Sequence, residues 1–153
     1  EDKFFADPPE RYFSESAIDL SAATDISIVQ GTVFILHRDG HMTQCVRREQ
    51  GAAPECSIET RYSDGRPGRF DDIRFDGLTT PVAMVAYAPP HSSLYLIDSK
   101  SPGAYQFSLR LAYQREFRPV DENGEVAATS FAVGPARDLF FASGNNVYVG
   151  RRR

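Results

Sequence analysis

Thr32-Val33-Phe34-Ile35-Leu36-His37 runs through Arg38-Asp39-Gly40 into His41-Met42-Thr43-Gln44-Cys45-Val46. Both arms are short and rich in β-branched and aromatic residues, and Asp39-Gly40 supplies the positive backbone angles that a tight hairpin turn needs. An antiparallel pair is therefore expected over 32–46. Elsewhere, short apolar segments are set between turn residues, and no stretch carries the sustained 3.6-residue stripe of an amphipathic helix. The chain reads as all-β.

The hairpin recurs twice. Ser93-Leu94-Tyr95-Leu96-Ile97-Asp98 turns over 99–103 into Ala104-Tyr105-Gln106-Phe107-Ser108-Leu109-Arg110, and Asp138-Leu139-Phe140-Phe141-Ala142-Ser143 turns over 144–146 into Val147-Tyr148-Val149. Each copy has an aromatic at the third position of its first strand: Phe34, Tyr95 and Phe140. The second interval is the size of a propeller blade, and the first is longer by one insertion.

A further apolar strand precedes each hairpin, at 26–29, 82–86 and 130–133, and a fourth follows the first two, around 57–62 and 114–118. Four antiparallel strands per repeat is the pattern of a β-propeller blade. The expected architecture is a partial propeller of about three four-stranded blades forming one domain. Blade 1 spans about 17–63, an insertion 64–79, blade 2 about 80–120, and blade 3, lacking its outer strand, about 126–153. Pro9-Glu10-Arg11-Tyr12-Phe13 resembles the fourth strand of the second unit, Gln114-Arg115-Glu116-Phe117-Arg118-Pro119. It is a candidate for the missing outer strand, supplied to another copy or another chain. Phe34, Tyr95, Phe107, Phe131, Phe140 and Tyr148 are expected to fill the spaces between blades.

Leu94-Tyr95-Leu96-Ile97-Asp98-Ser99 with Tyr105-Gln106-Phe107, and Phe140-Phe141-Ala142-Ser143-Gly144-Asn145-Asn146-Val147-Tyr148-Val149, resemble blades of NHL-type six-bladed propellers. The likeness extends over most of the chain from residue 26. An Asp before the turn is kept at Asp98 and replaced at His37 and at Ala142 or Ser143. The resemblance implies a binding scaffold more often than an enzyme, although some related six-bladed propellers hydrolyse esters or lactones around a central metal. The chain has no Trp, which disfavours WD-type blades, and it shows neither a kelch glycine pair nor a sialidase-like aspartate box.

Of 153 residues, 41% are hydrophobic and 25% charged, values that place the chain among globular domains rather than disordered tails. Net charge is −4, and the basic residues are scattered apart from Arg151, Arg152 and Arg153, so nucleic acid is not an expected partner. The longest apolar run, 81–88, suits one strand and falls far short of the roughly 20 residues of a membrane helix. The chain starts at Glu1 without a basic, apolar leader, which suggests a processed product, a fragment or an excised domain.

The two cysteines, Cys45 and Cys56, fall on neighbouring strands of the first repeat and have no histidine pair spaced to complete a zinc finger. A disulfide is expected, and with it an oxidising, extracytoplasmic compartment: secreted, periplasmic or cell-surface.

His37 and His41 flank the Asp39-Gly40 turn and are placed to approach each other across the hairpin; the third histidine is His91. No third ligand is fixed by spacing, so all three are expected to be surface or blade-edge residues rather than a metal site. Asp71, Asp72 and Asp76, and again Asp121-Glu122-Asn123-Gly124-Glu125, gather oxygen ligands of the kind calcium takes, but no EF-hand loop is present and Asn-Gly and Asp-Gly pairs form ordinary turns. There is no Gly-x-Ser-x-Gly elbow and no phosphate-cradling glycine loop. Arg61, Tyr62, Arg66, Arg69 and Phe70 have the composition of an exposed recognition surface, against the simpler reading of a plain insertion loop.

The functional expectation is a non-catalytic binding or scaffold module, presenting propeller loops to a protein or other ligand. No cofactor is expected, and the partner is a protein or a second copy that completes the propeller, the latter giving a homodimer. The alternative is a metal-dependent hydrolase assembled from a completed six-bladed ring, for which His37, His41, Asp39 and Asp98 are the first residues to inspect.

Overall fold

The computed structural model describes residues 12–13, 18–49, 52–59, 62–66, 78, 80–88, 90–100, 103–134 and 138–150. Among them there is no helix. The strands are β1 (Ala23–Val29), β2 (Thr32–His37), β3 (Met42–Val46), β4 (Glu55–Glu59), β5 (Ser63–Asp64), β6 (Pro81–Tyr87) and β7 (Ser93–Asp98), followed by β8 (Ala104–Ser108), β9 (Ala112–Phe117), β10 (Val120–Asp121), β11 (Gly124–Glu125), β12 (Ser130–Val133), β13 (Leu139–Ser143) and β14 (Asn146–Gly150). No described helix is long and apolar enough to cross a membrane.

Three antiparallel meanders follow one another along the chain. Sheet 1 is β1-β2-β3-β4, sheet 2 is β6-β7-β8-β9 with β5 added beside β9, and sheet 3 is β12-β13-β14. One departure from the sequence expectation stands out, while the turn expected over 121–125 is present. The β5 strand pairs parallel with β9, Ser63 opposite Ala112 and Asp64 opposite Tyr113. The carboxylate-rich 121–125 segment closes a small β10-β11 hairpin, with Gly124 at a φ of 118° that favours glycine.

Side-chain alternation gives each sheet two faces with fixed roles. In sheet 2, Met84, Leu94, Leu96, Tyr105 and Phe107 point to one side, where they meet Phe34, Leu36 and Met42 of sheet 1 in a single cluster. Tyr95, Ile97 and Ala104 point to the other side and pack with Phe131, Leu139, Phe141 and Tyr148 of sheet 3. Because sheet 2 is covered on both faces, every residue of β7 is buried, which is why its sequence is nearly continuously apolar. Sheet 3 is covered on one face, so in β13 Leu139 and Phe141 are buried while Phe140 between them is not. Each large side chain buried in these clusters contributes about 1.5–3 kcal/mol.

The first strands of successive sheets are also linked. The Met84 amide donates to Asp25 Oδ2 (2.6 Å) and the Ala86 amide to Ser27 Oγ (3.0 Å), so β1 side chains satisfy backbone donors of β6 that no strand partner takes. Tyr87 on β6 treats β12 likewise, its hydroxyl accepting from the Val133 amide at 3.0 Å.

On the remaining face of sheet 1, Val33, Ile35 and Cys45 are covered by Tyr12, Phe13 and Ile18. Tyr12 and Phe13 form a bend rather than a strand; residues 9–11 of the expected outer strand lie outside the described residues. Arg47 anchors this bend, its guanidinium 4.4 Å over the Tyr12 ring and its Nη2 donating to the Tyr12 carbonyl at 2.8 Å.

Candidate functional site

The first hairpin positions the histidines. The β2 strand ends at His37 and β3 opens at Met42. Between them the turn is closed by the His37 amide donating to the His41 carbonyl (3.0 Å) and the Gly40 amide to the His37 carbonyl (2.9 Å). Gly40 sits at a φ of 89°, and a Cβ added there would lie 2.8 Å from the Leu78 carbonyl oxygen. Only glycine fits both demands.

The turn brings His37 and His41 face to face, ring centroids 3.9 Å apart and planes 14° from parallel. The expectation of approach across the hairpin holds, whereas that of surface placement does not: His37 is 1% exposed. It closes a strand whose residues from Val33 onward are all buried, with the His41 ring laid over it. His37 Nε2 pairs with Thr43 Oγ1 at 3.0 Å, and its Nδ1 is buried with no hydrogen-bond partner among the described residues. His41 Nδ1 instead meets the Asp39 carboxylate. Burial, followed by the charge of His41, lowers the affinity of His37 for a proton, against the opposing pull of Asp39 and Asp19. Burial resists ionisation of Asp39, but hydrogen bonds from the His41 amide and ring hold its carboxyl below the usual range.

Chemically, this is a pair of stacked bases and one acid. Near-parallel imidazoles direct their in-plane lone pairs side by side rather than at one point, an arrangement ill suited to sharing an ion. Among the described residues no group of three His, Cys, Asp or Glu side chains is placed to hold a metal.

The structure commits Asp98 to backbone support. It is fully buried, and its two oxygens accept from the Thr80 amide (2.9 Å) and the Lys100 amide (2.8 Å). Asp121 does the same for the Asn123 amide at 2.8 Å. Glu116 and Glu125 both pair with Arg118. The carboxylates at 71, 72 and 76 lie outside the described residues.

Arg61, Arg69 and Phe70 of the expected recognition surface also lie outside them. Tyr62 is buried rather than exposed; its ring packs 4.9 Å from that of Phe107 and its hydroxyl donates to the Gly40 carbonyl at 2.6 Å. Burial pushes that phenol well above its ordinary range. Arg66 is drawn onto the buried Asp64 carboxylate, Nε to Oδ1 at 2.8 Å, and lies 5.1 Å over the Tyr113 ring. The structure thus brings Tyr62 together with the His37 turn, and Arg66 with β9.

Cys45 and Cys56 form a disulfide, directly opposite each other on β3 and β4 with Cα atoms 4.1 Å apart.

Sequence reasoning expected an open stack but did not single out the apolar side chains at its two ends. On sheet 1, Ile26 is 57%, Ile28 67% and Ile58 60% exposed; on sheet 3, Val147 is 68% and Val149 53% exposed. The signal was present in the alternation of β14, Val147 and Val149 sharing a side with Phe140, which no other described strand covers. Beside this end lies a groove of about 420 Å³, lined by Phe117, Arg118, Pro119, Val120, Tyr148 and Val149 among others. Compared with protein-family models and with curated proteins, the chain matches none.

Proposed function

We propose that the chain is a non-catalytic interaction module built from propeller blades of the NHL type, three of which it carries itself. The observation that supports this reading most is the repetition of two-faced sheets, which leaves exposed apolar side chains at each end of the stack: Ile26, Ile28 and Ile58 on sheet 1, beside the part that Tyr12, Phe13 and Ile18 cover, and Val147 and Val149 on sheet 3. Exposed apolar area of this kind is the usual mark of a docking surface. The one hydroxyl beside His37, that of Thr43, is fully buried and closed to a substrate, and among the described residues the acids that the hydrolase alternative needs are engaged in turns and ion pairs. The disulfide fits an oxidising, extracytoplasmic compartment.

A photo-crosslinking residue placed at Ile28 or Val147 tests the proposal. Capture of a neighbouring polypeptide at these positions, with little at the exposed turn residue Arg110, is the expected result. Equal yields at all three positions, together with ester or lactone turnover lost in His37→Ala, would replace the module reading with the hydrolase.

A further inference from the structure

The two open ends are the two halves of one interface. We infer that the polypeptide they bind is a second copy of this chain, the free face of sheet 3 docking on the free face of sheet 1. This rests on the module reading above.

Register positions carry the argument. Val33, Leu94 and Leu139 occupy equivalent positions in β2, β7 and β13, as do their neighbours Phe34, Tyr95 and Phe140. Leu94 and Leu139 each point back to the preceding sheet, while Phe34 and Tyr95 point forward to the following one. Among the described residues, Val33 therefore lies on a rear face that Tyr12, Phe13 and Ile18 cap in part, with no sheet behind it, and Phe140 lies on a forward face with no sheet ahead. Forward-on-rear packing is already used twice within the chain, and joining Phe140, Val147 and Val149 to Ile26, Ile28 and Ile58 uses it a third time.

Tyr12 and Phe13 tie this third use to the chain itself. In both internal junctions, an aromatic at or just past the outer strand of one sheet packs on the next: Tyr62 after β4 on Phe107 of β8, and Phe117 at the end of β9 in the cluster shared with sheet 3. The Tyr12–Phe13 bend packs on sheet 1 in the same manner, yet among the described residues no sheet stands behind it. Among the described residues sheet 3 has no outer strand, β14 pairing with β13 alone. Head-to-tail docking brings the Tyr12–Phe13 bend of one copy to the free face of sheet 3 in the other.

Charge agrees. Glu1, Asp2, Asp7 and Glu10 against Lys3 give the stretch before Arg11 an excess of negative charge, and Arg151, Arg152 and Arg153 follow β14 directly. Opposite charge at the two ends of the sequence suits a head-to-tail contact. A forward-on-rear contact is heterologous, and it closes without loose ends when two copies of three sheets form a ring of six, within the size range of known propellers.

Light scattering of the oxidised full chain across micromolar to tenth-millimolar concentration should give twice the mass of one chain. Val149→Glu and Ile28→Glu, both at exposed positions of the single copy, should each keep the wild-type near-ultraviolet dichroism and weaken association at least about a hundredfold, since each places an unpaired charge in the interface. Mixing the two variants should restore a dimer, because one of its two junctions is then wild-type on both sides. Crosslinks from position 147 in a mixture of ¹⁴N and ¹⁵N protein should map to residues around Tyr12 or Ile28 and carry both isotopes. A wild-type monomer at all concentrations, or a dimer broken by only one of the two variants, overturns the inference. Capture of a different polypeptide at position 147 overturns it while leaving the module reading intact; the absence of any specific capture at either end overturns both.

Discussion

The imidazole of His37 lies against that of His41 at 3.9 Å, yet of the two it is His41 that meets a carboxylate. Protonation of His37 would place charge in a buried layer, beside a second base and with a hydroxyl as its hydrogen-bond partner.

This arrangement gives stability a pH dependence of definite sign. Folding lowers the affinity of His37 for a proton, so the unfolded chain binds more protons as pH falls through the ordinary histidine range, ~6.5. The contribution is fully present above that range and is lost on acidification. Urea midpoints should drop between neutral pH and pH ~5. His37→Gln should flatten that limb, whereas the lowered carboxyls of Asp19 and Asp39 should keep a separate loss below pH ~4. An unchanged slope in His37→Gln would assign the effect elsewhere.

Gly40 and Tyr62 act on the same stretch of turn and should not behave independently. Gly40→Ala forces a side chain into the left-handed region and against the Leu78 carbonyl, at a cost of about 1–3 kcal/mol. Tyr62→Phe strips the hydrogen bond to the Gly40 carbonyl, costing about 1 kcal/mol. The double variant should fall short of the sum, because a displaced turn no longer offers its carbonyl to the phenol. Denaturant unfolding of the three variants measures the coupling.

Reduction of Cys45–Cys56 should lower stability by about 3 kcal/mol through loop closure alone. Alkylation after reduction should have a larger effect, because Cys45 is fully buried and a bulky adduct must disrupt the face it shares with Val33 and Ile35. In the native oxidised protein neither cysteine should react with iodoacetamide. Mass spectrometry before and after reductant checks this directly.

Asp98→Ala removes a fully buried side chain that accepts from two backbone amides, and should destabilise by about 3 kcal/mol. Asp98→Asn keeps one oxygen and should cost about half as much. A much smaller loss in both would show that water enters the site and replaces the carboxylate.

The hairpins were legible because Asp39-Gly40 and the flanking apolar residues speak to local geometry. The inter-sheet role of Phe34 and Tyr95 was legible from their recurrence. Phe140 recurs just as regularly but has no sheet ahead of it, and a repeat pattern does not announce its own last member. The burial of His37 and Tyr62 escaped notice because histidine after an apolar run, and tyrosine between arginine and serine, suit a surface equally well. Their environment is set by the neighbouring turn and by Phe107, far away in sequence. The β5 pairing was illegible for a simpler reason: Ser63-Asp64 has neither the length nor the alternation that marks a strand. Asp98 did carry a readable signal, since an aspartate opening a turn commonly accepts amides from residues just beyond it.

That two-residue parallel pairing has a consequence for how the molecule comes apart. Through β5, the main chain leaving sheet 1 is hydrogen-bonded to the edge of sheet 2, so drawing the two sheets apart strains backbone bonds as well as side-chain contacts. Sheet 3 has no such tie among the described residues and is held to sheet 2 through side chains, the Tyr87 hydroxyl among them. Amide exchange should therefore divide the chain unevenly, with β12 to β14 opening first as one unit and the stretch from β1 to β9 surviving as a single, slower one.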